Sequence, residues 1–185
     1  MIQAMGRAAG IEIRCTTIAK PNFSLEDHWK DGEARTAIAR GGWTHVVLQQ
    51  GPAALAESRV LLNAYVQEFA AEIRRVKAEP VIYMVWPSRA RAPDFDGVSQ
   101  SYAGAAALVK GLLCPAGDAW RAAWRRDPAL ALYGPDGFHP SPLGSTLAAL
   151  TIFHRLTGTF PRAIDGVPPR TYETLKAAVT EASRE

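Results

Sequence analysis

The spacing of hydrophobic residues changes repeatedly along the chain. Continuous apolar runs lie within residues 44–49, 80–86 and 112–115, which is typical of parallel strands covered on both faces. Between these runs, hydrophobic residues recur every three or four positions, as they do on the buried side of a helix. Strands that alternate with helices predict an α/β fold, a three-layer α/β/α sandwich with a mostly parallel sheet.

A further strand is predicted near an edge of the sheet. Residues 11–18 alternate in polarity and are rich in β-branched side chains, which favours a strand. Cys15 lies in this segment and Cys114 in the run 112–115. A pair of cysteines outside any disulfide framework predicts two buried thiols rather than a disulfide.

The predicted helices carry local start and stop signals. Ser24 with Asp27 three positions later predicts a capped helix start, and Gly10 is a plausible helix C-terminus. Ser141 is a favoured N-cap when Pro142 takes the first helical position. The helices are predicted over residues 1–9, 25–30, 31–39, 58–78, 98–112, from 117 onward, 142–157 and 171–183.

Composition predicts one domain over residues 1–185, with a core over about residues 1–160 and a C-terminal extension that carries helix 171–183. The formal net charge is +3 and the basic residues are scattered, which implies neither a nucleic-acid nor a membrane partner. No apolar run approaches the roughly 20 residues of a spanning helix, and the start lacks a signal-peptide pattern. The chain is therefore expected to be soluble; the compartment stays open, because a leader could be lost with a missing N-terminus.

An acid and an imidazole stand three residues apart just before helix 142–157. Proline and glycine residues keep this stretch out of a helix, so Asp136 can turn back toward His139. A carboxylate that accepts the imidazole Nδ1–H would fix the tautomer and leave Nε2 free as a base. That is half of a hydrolytic triad. The alternative is a turn whose aspartate caps the backbone and whose histidine is an ordinary surface residue.

The stretch Asp-Gly-Phe-His-Pro-Ser at residues 136–141 resembles the last conserved block of the SGNH/GDSL hydrolases. In that superfamily the aspartate and histidine complete a Ser-His-Asp triad. Weaker similarities cover residues 22–28, 46–50, 84–86 and 156–158, in the order found in a subgroup whose nucleophile block reads Gly-Asn-Ser. The resemblance spans roughly residues 1–160.

The sequence also departs from that family. It begins in a segment that resembles the family's first helix, and neither Gly-Asp-Ser nor Gly-Asn-Ser occurs in it. We therefore expect the first strand and the nucleophilic serine to be missing from these residues. Asn22 stands nearest the glycine whose N–H helps form the family's oxyanion hole, and Gln49 with Gln50 replaces the asparagine of the third block.

The resemblance implies an ester hydrolase that works through an acyl-enzyme without a cofactor. His139 would act as general base and acid, Asp136 would orient it, and Asn22 with Gln49 or Gln50 would contribute to the oxyanion hole. Loops that follow parallel strands meet at one sheet edge, so these residues are expected in one cleft. Relatives often remove small acyl groups from carbohydrates, which suggests a small-molecule ester, such as an acylated carbohydrate, as substrate.

The sequence leaves several alternatives open. Gln49 and Gln50 could instead satisfy nearby backbone groups. Trp86 could be a substrate platform or part of the core. The protein could be an SGNH-like domain without catalysis, because the nucleophile is not found. Nucleotide binding is disfavoured because no glycine-rich phosphate loop follows a strand. A metal site of His28, Asp136 and His139 is weakly supported.

Overall fold

The computed structural model describes residues 1–184, in which three short strands alternate with helices in the middle of the chain and helices alone form the regular elements before and after them. The α/β class predicted from the hydrophobic pattern is confirmed. A 3₁₀ helix over Arg89–Asp94 precedes the fifth α-helix. The elements in chain order are α1 (Ile2–Ala9), α2 (Leu25–Asp31), α3 (Glu33–Ala39), β1 (His45–Leu48), α4 (Ala56–Arg75), β2 (Glu79–Met84), α5 (Phe95–Leu108), β3 (Leu112–Pro115), α6 (Ala116–Arg126), α7 (Pro142–Thr157) and α8 (Pro169–Ala182).

The strands form one sheet in the order β1-β2-β3. β1 and β2 run parallel, with His45 opposite Glu79 and Leu48 opposite Ile82. Three consecutive residues of β2, from Pro80 to Ile82, are buried, so both faces of this strand are covered. The continuous apolar run in the sequence is thus explained by burial on both sides of the strand.

The strand predicted over residues 11–18 is not formed. These residues belong to no helix or strand, and most of their side chains are exposed. Glu12 and Arg14 make an ion pair with each other at 2.7 Å. Alternating β-branched residues become a strand only where a neighbour completes the ladder of backbone hydrogen bonds. Within residues 1–184, β1 has a strand neighbour on one side only, so the edge away from β2 is unpaired.

The chain divides into two compact units by contact. The first unit contains residues 1–15, 86–95 and the chain from 114 onward, and the second contains residues 16–85 and 96–113. The second unit has a continuous apolar core around β1, β2 and α4, including Leu48, Phe69 and Ile82.

The core of the first unit is built by α6, α7 and α8 around Trp120, which is fully buried. Gly144, in the first turn of α7, lies where a Cβ would come within 2.6 Å of the Trp120 ring and closer still to the carbonyl of Leu132. Only glycine lets the start of α7 approach this closely. The indole Nε1 donates to the Gly144 carbonyl at 3.2 Å, which fixes the ring against the helix.

The two cysteines do not share one environment. Cys114 is buried, and burial raises the pKa of its thiol to about 12. Cys15 is an exposed free thiol, because the segment around it does not enter the sheet. The expectation of two buried thiols is therefore wrong for Cys15. None of the helices within residues 1–184 is long and apolar enough to cross a membrane.

Candidate functional site

The turn before α7 is closed by main-chain hydrogen bonds. Tyr133 and Pro140 form an isolated antiparallel bridge, and the Gly134 amide donates to the His139 carbonyl at 2.7 Å. Gly137 has φ +67°, a left-handed conformation that suits glycine. Ser141 caps α7 by accepting from the Gly144 amide at 3.0 Å, as predicted. Main-chain hydrogen bonds and the Ser141 cap thus hold the turn at both ends.

Asp136 and His139 are joined inside this turn. The carboxylate Oδ2 and the imidazole Nδ1 are 2.5 Å apart, so the hydrogen bond that the spacing predicts is present. Oδ1 accepts from the amides of Phe138 at 3.0 Å and His139 at 2.9 Å. The imidazole contact first, and the Phe138 amide second, lower the pKa of Asp136 to about 2. The carboxylate is therefore ionised at neutral pH and orients the ring.

His139 presents its second nitrogen to the outside. Its side chain is 74% exposed, and Nε2 has no hydrogen-bond partner within residues 1–184. The ring of Phe138 lies edge-on to the imidazole at 5.0 Å and is itself 46% exposed. An imidazole whose Nε2 is free can accept a proton from a nucleophile. The exposed Phe138 ring beside it can contact an apolar part of a ligand.

Trp86 lies behind the turn rather than on its surface. It is only 7% exposed and stacks on Trp120 with ring centroids 3.7 Å apart. Its Nε1 donates to the Phe138 carbonyl at 3.2 Å. Of the two alternatives the sequence leaves for Trp86, this position corresponds to the core. The indole supports the backbone next to His139.

Sequence reasoning missed two residues that contact the same turn. The Tyr133 hydroxyl donates to the Pro87 carbonyl at 2.6 Å, and the Arg89 amide donates to the Gly137 carbonyl at 2.7 Å. With the bond from Trp86, residues 86–89 touch the turn at three points. A loop that directly follows a predicted strand was the available signal, although nothing in the sequence indicates which turn it contacts.

In the second unit, Asn22 occupies a conformation normally left to glycine. Its φ is +63° and it is exposed. Asparagine tolerates this left-handed region better than most residues, which accounts for its presence. The resemblance places the family's oxyanion glycine nearest this position. Its role in catalysis stays a prediction, as does the shared cleft with His139.

Gln49 and Gln50 use their amides within the second unit. Gln50 is 6% exposed, and its Oε1 accepts from the Leu25 amide at the start of α2 at 3.3 Å. Its carbonyl accepts from the Tyr102 hydroxyl at 2.8 Å and from Gln49 Nε2 at 2.7 Å. These bonds correspond to the alternative in which both amides satisfy backbone groups. Their role in an oxyanion hole remains untested.

Within residues 1–184, no hydrogen bond joins a serine hydroxyl to His139. Ser24 bonds to Asp27 in the predicted capping box, and Ser141 donates to the Ala131 carbonyl at 2.6 Å. Ser88 directly precedes Arg89, whose amide bonds to the turn. Ser88 therefore lies on a loop that contacts the turn, although the two are about 50 residues apart in the sequence.

Two further polar features, at His28 and at a cavity, belong to the second unit. In the described residues 1–184, no three His, Cys, Asp or Glu side chains are grouped to hold a metal ion. His28 has a buried Nδ1 without a hydrogen-bond partner and packs edge-on against Phe23 at 5.0 Å. A cavity of about 910 Å³ in the second unit is lined by charged and hydroxyl side chains that include Lys20, Asp31 and Arg35. It contains none of the six predicted site residues.

Two solved structures share the fold. A candidate SGNH hydrolase from Slackia heliotrinireducens superposes with a TM-score of 0.70 at 28% identity, over 83% of this chain and 89% of its own. A DUF4886 family protein from Bacteroides uniformis superposes with a TM-score of 0.75 at 20% identity, over 100% of this chain and 87% of its own. No family model matches the sequence. No curated protein matches it either.

Proposed function

Since the chain has an SGNH-hydrolase-like fold, we propose that it is a hydrolase that cleaves esters, with His139 as general base and Asp136 as its orienting carboxylate. The observation that carries the proposal is the 2.5 Å contact between Asp136 Oδ2 and His139 Nδ1 in a closed, exposed turn. An imidazole held in one tautomer with its second nitrogen free is the arrangement that proton transfer to and from an oxygen requires.

The proposed reaction follows from that geometry. A serine hydroxyl from outside the 185 residues would add to the ester carbonyl while its proton passes to His139 Nε2. The C–O bond to the alcohol would then break, and the same proton would leave with the alcohol. Water would attack the acyl-enzyme with His139 again as base, which releases the acid and restores serine. Removing the base of such a triad costs about 10⁴–10⁶ in rate.

For the oxyanion we propose the backbone N–H of Asn22. An exposed residue in this left-handed conformation can direct its amide N–H toward solvent, where it could donate to a developing negative charge. Support comes from its φ of +63° and from the resemblance. The substrate class is proposed from family analogy alone: a small ester, such as an acetylated carbohydrate.

The test compares two lengths of the protein. The 185-residue chain and a form extended by about 20 upstream residues, enough for one strand and the turn into a helix, are purified and assayed on p-nitrophenyl acetate. We expect hydrolysis by the extended form, its loss in His139→Ala, and no hydrolysis by the shorter chain. Equal activity in both lengths, lost in both on His139→Ala, would show that a serine within these residues is the nucleophile.

The second candidate function is a non-catalytic SGNH-like domain. It is favoured by one observation: no serine within residues 1–184 is hydrogen-bonded to His139. A stop codon immediately upstream, together with no His139-dependent hydrolysis by the 185-residue chain on a panel of acetylated sugars, would establish it over the esterase.

A further inference from the structure

Arg89 is attached to the turn that carries Asp136 and His139. Its amide donates to the Gly137 carbonyl at 2.7 Å, and its Cβ lies 3.5 Å from where a side chain on Gly137 would begin. Gly137 stands between Asp136 and Phe138 in the chain. The backbone and the Cβ of Arg89 are therefore fixed directly against the turn that carries Asp136 and His139.

The guanidinium is held over an aromatic ring. Its central carbon lies 5.3 Å from the centroid of the Tyr133 ring, within the range of a cation–π contact. Tyr133 is 8% exposed, bonds through its hydroxyl to the Pro87 carbonyl and stacks on Trp124 at 5.5 Å. Tyr133 is also bridged to Pro140, the residue after His139. A nearly buried ring thus holds the exposed cation at the base of the turn that carries the histidine.

Within residues 1–184, no carboxylate oxygen lies within 4.0 Å of the Arg89 guanidinium. Asp136 directs its carboxylate to His139 and to two amides of its own turn. Arg91, two residues along the same loop, is paired with Asp94 at 2.5 Å. The loop therefore carries one neutralised arginine and one whose fork of donors is open to a ligand.

We propose that Arg89 binds an oxyanion, a carboxylate or a phosphate, on the substrate, so that the protein acts on negatively charged esters; this rests on the proposed ester hydrolysis. The planar guanidinium matches both groups through two parallel N–H bonds. The anion would bind at the open N–H edge of the guanidinium, which itself lies over Tyr133, and the exposed Phe138 ring would contact the apolar part between anion and ester.

Binding to the 185-residue chain tests the proposal without hydrolysis. Monomethyl succinate, methyl phosphate and neutral methyl butyrate are titrated while the amide NMR shifts of Gly137 and Phe138 are followed. We expect at least one anion to bind about 10-fold or more tightly than methyl butyrate, and Arg89→Gln to remove that preference. Arg89→Lys should retain part of it. Arg91→Gln, the matched control, should retain all of it.

Kinetics on the upstream-extended form separate this proposal from the proposed function. Mono-p-nitrophenyl succinate is compared with p-nitrophenyl butyrate; Arg89→Gln should raise KM for the succinate about 10- to 100-fold and leave the butyrate within about 2-fold. His139-dependent hydrolysis without a preference for the anion would overturn the Arg89 proposal and leave the function standing. Arg89-dependent anion binding without hydrolysis would overturn the proposed function and leave anion binding by Arg89 standing. Equal loss of binding in Arg89→Gln and Arg91→Gln would overturn the Arg89 proposal.

Discussion

Two polar regions were predicted as parts of one site, and they use their side chains differently. In the turn before α7, Asp136 and His139 bond to each other, and the imidazole is 74% exposed. After β1, Gln50 is 6% exposed and its Oε1 accepts from a backbone amide. A polar side chain is available to a substrate only when its bonds within the protein leave an atom free, and His139 Nε2 meets that condition.

The difference follows from how far away each partner lies in the chain. Asp136 finds its partner three residues on, so proline, glycine and spacing are sufficient to predict the bond. The Leu25 amide that bonds Gln50 is 25 residues earlier in the chain. Nothing in the local sequence around Gln50 indicates that contact. If this difference holds, substitutions in the turn before α7 should change the rate of hydrolysis, and substitutions after β1 should change stability.

The largest expected effect is the loss of hydrolysis on His139→Ala. In the upstream-extended form, removal of the base should lower kcat on p-nitrophenyl acetate by about 10⁴-fold or more, because the remaining groups supply only the residual rate. Ser88→Ala is the matched control on the adjoining loop and should retain activity. If Ser88→Ala is as inactive as His139→Ala while both remain folded, Ser88 is the nucleophile and the requirement for an upstream serine is wrong.

The next effect concerns the packing behind the turn. Gly144→Ala forces a Cβ against Trp120 and the Leu132 carbonyl, so overpacking should lower the free energy of unfolding by about 1–3 kcal/mol. Gly104→Ala is the control, since it is an exposed helical glycine whose Cβ would meet nothing within 4 Å. That change should stabilise the protein by about 0.5–1 kcal/mol. Urea denaturation measures both, and equal effects would contradict the close approach of α7.

Gln50→Ala should affect stability rather than rate. The substitution leaves the buried Leu25 amide without its acceptor, which costs about 1–3 kcal/mol of unfolding free energy. Gln49→Ala removes a more exposed donor and should cost less. Urea denaturation and the kcat of the extended form are measured together. If one variant loses kcat at least 10-fold with unchanged stability, that glutamine acts in the reaction, as an oxyanion-hole residue would. The assignment of a purely structural role to the region after β1 would then be wrong.

The same contrast between local and distant partners decides what the sequence could predict elsewhere. The Ser24–Asp27 capping box and the Ser141 cap at Pro142 involve neighbours within a few residues, and both are present as predicted. The strand over residues 11–18 failed because a strand needs a distant partner for its backbone. Tyr133 and Arg89 were missed for the same reason: their importance comes from contacts that only the folded chain creates.

The smallest effect is the titration of Asp136, and it tests the first region most directly. Its folded pKa is about 2, below the ordinary 3.8, and the His139 hydrogen bond is the largest cause. A carboxyl whose pKa is lowered on folding stabilises the folded state above its unfolded pKa, and this contribution is lost as pH falls from about 4 toward 2. Carbon NMR of the Asp136 carboxyl should give a midpoint near 2 in the wild type. In His139→Ala the midpoint should rise toward the ordinary value while staying below it, because the Phe138 amide still donates. An unchanged midpoint in His139→Ala would mean that the imidazole does not hydrogen-bond to the carboxylate. The interpretation of Asp136 and His139 as half of a triad would then be wrong.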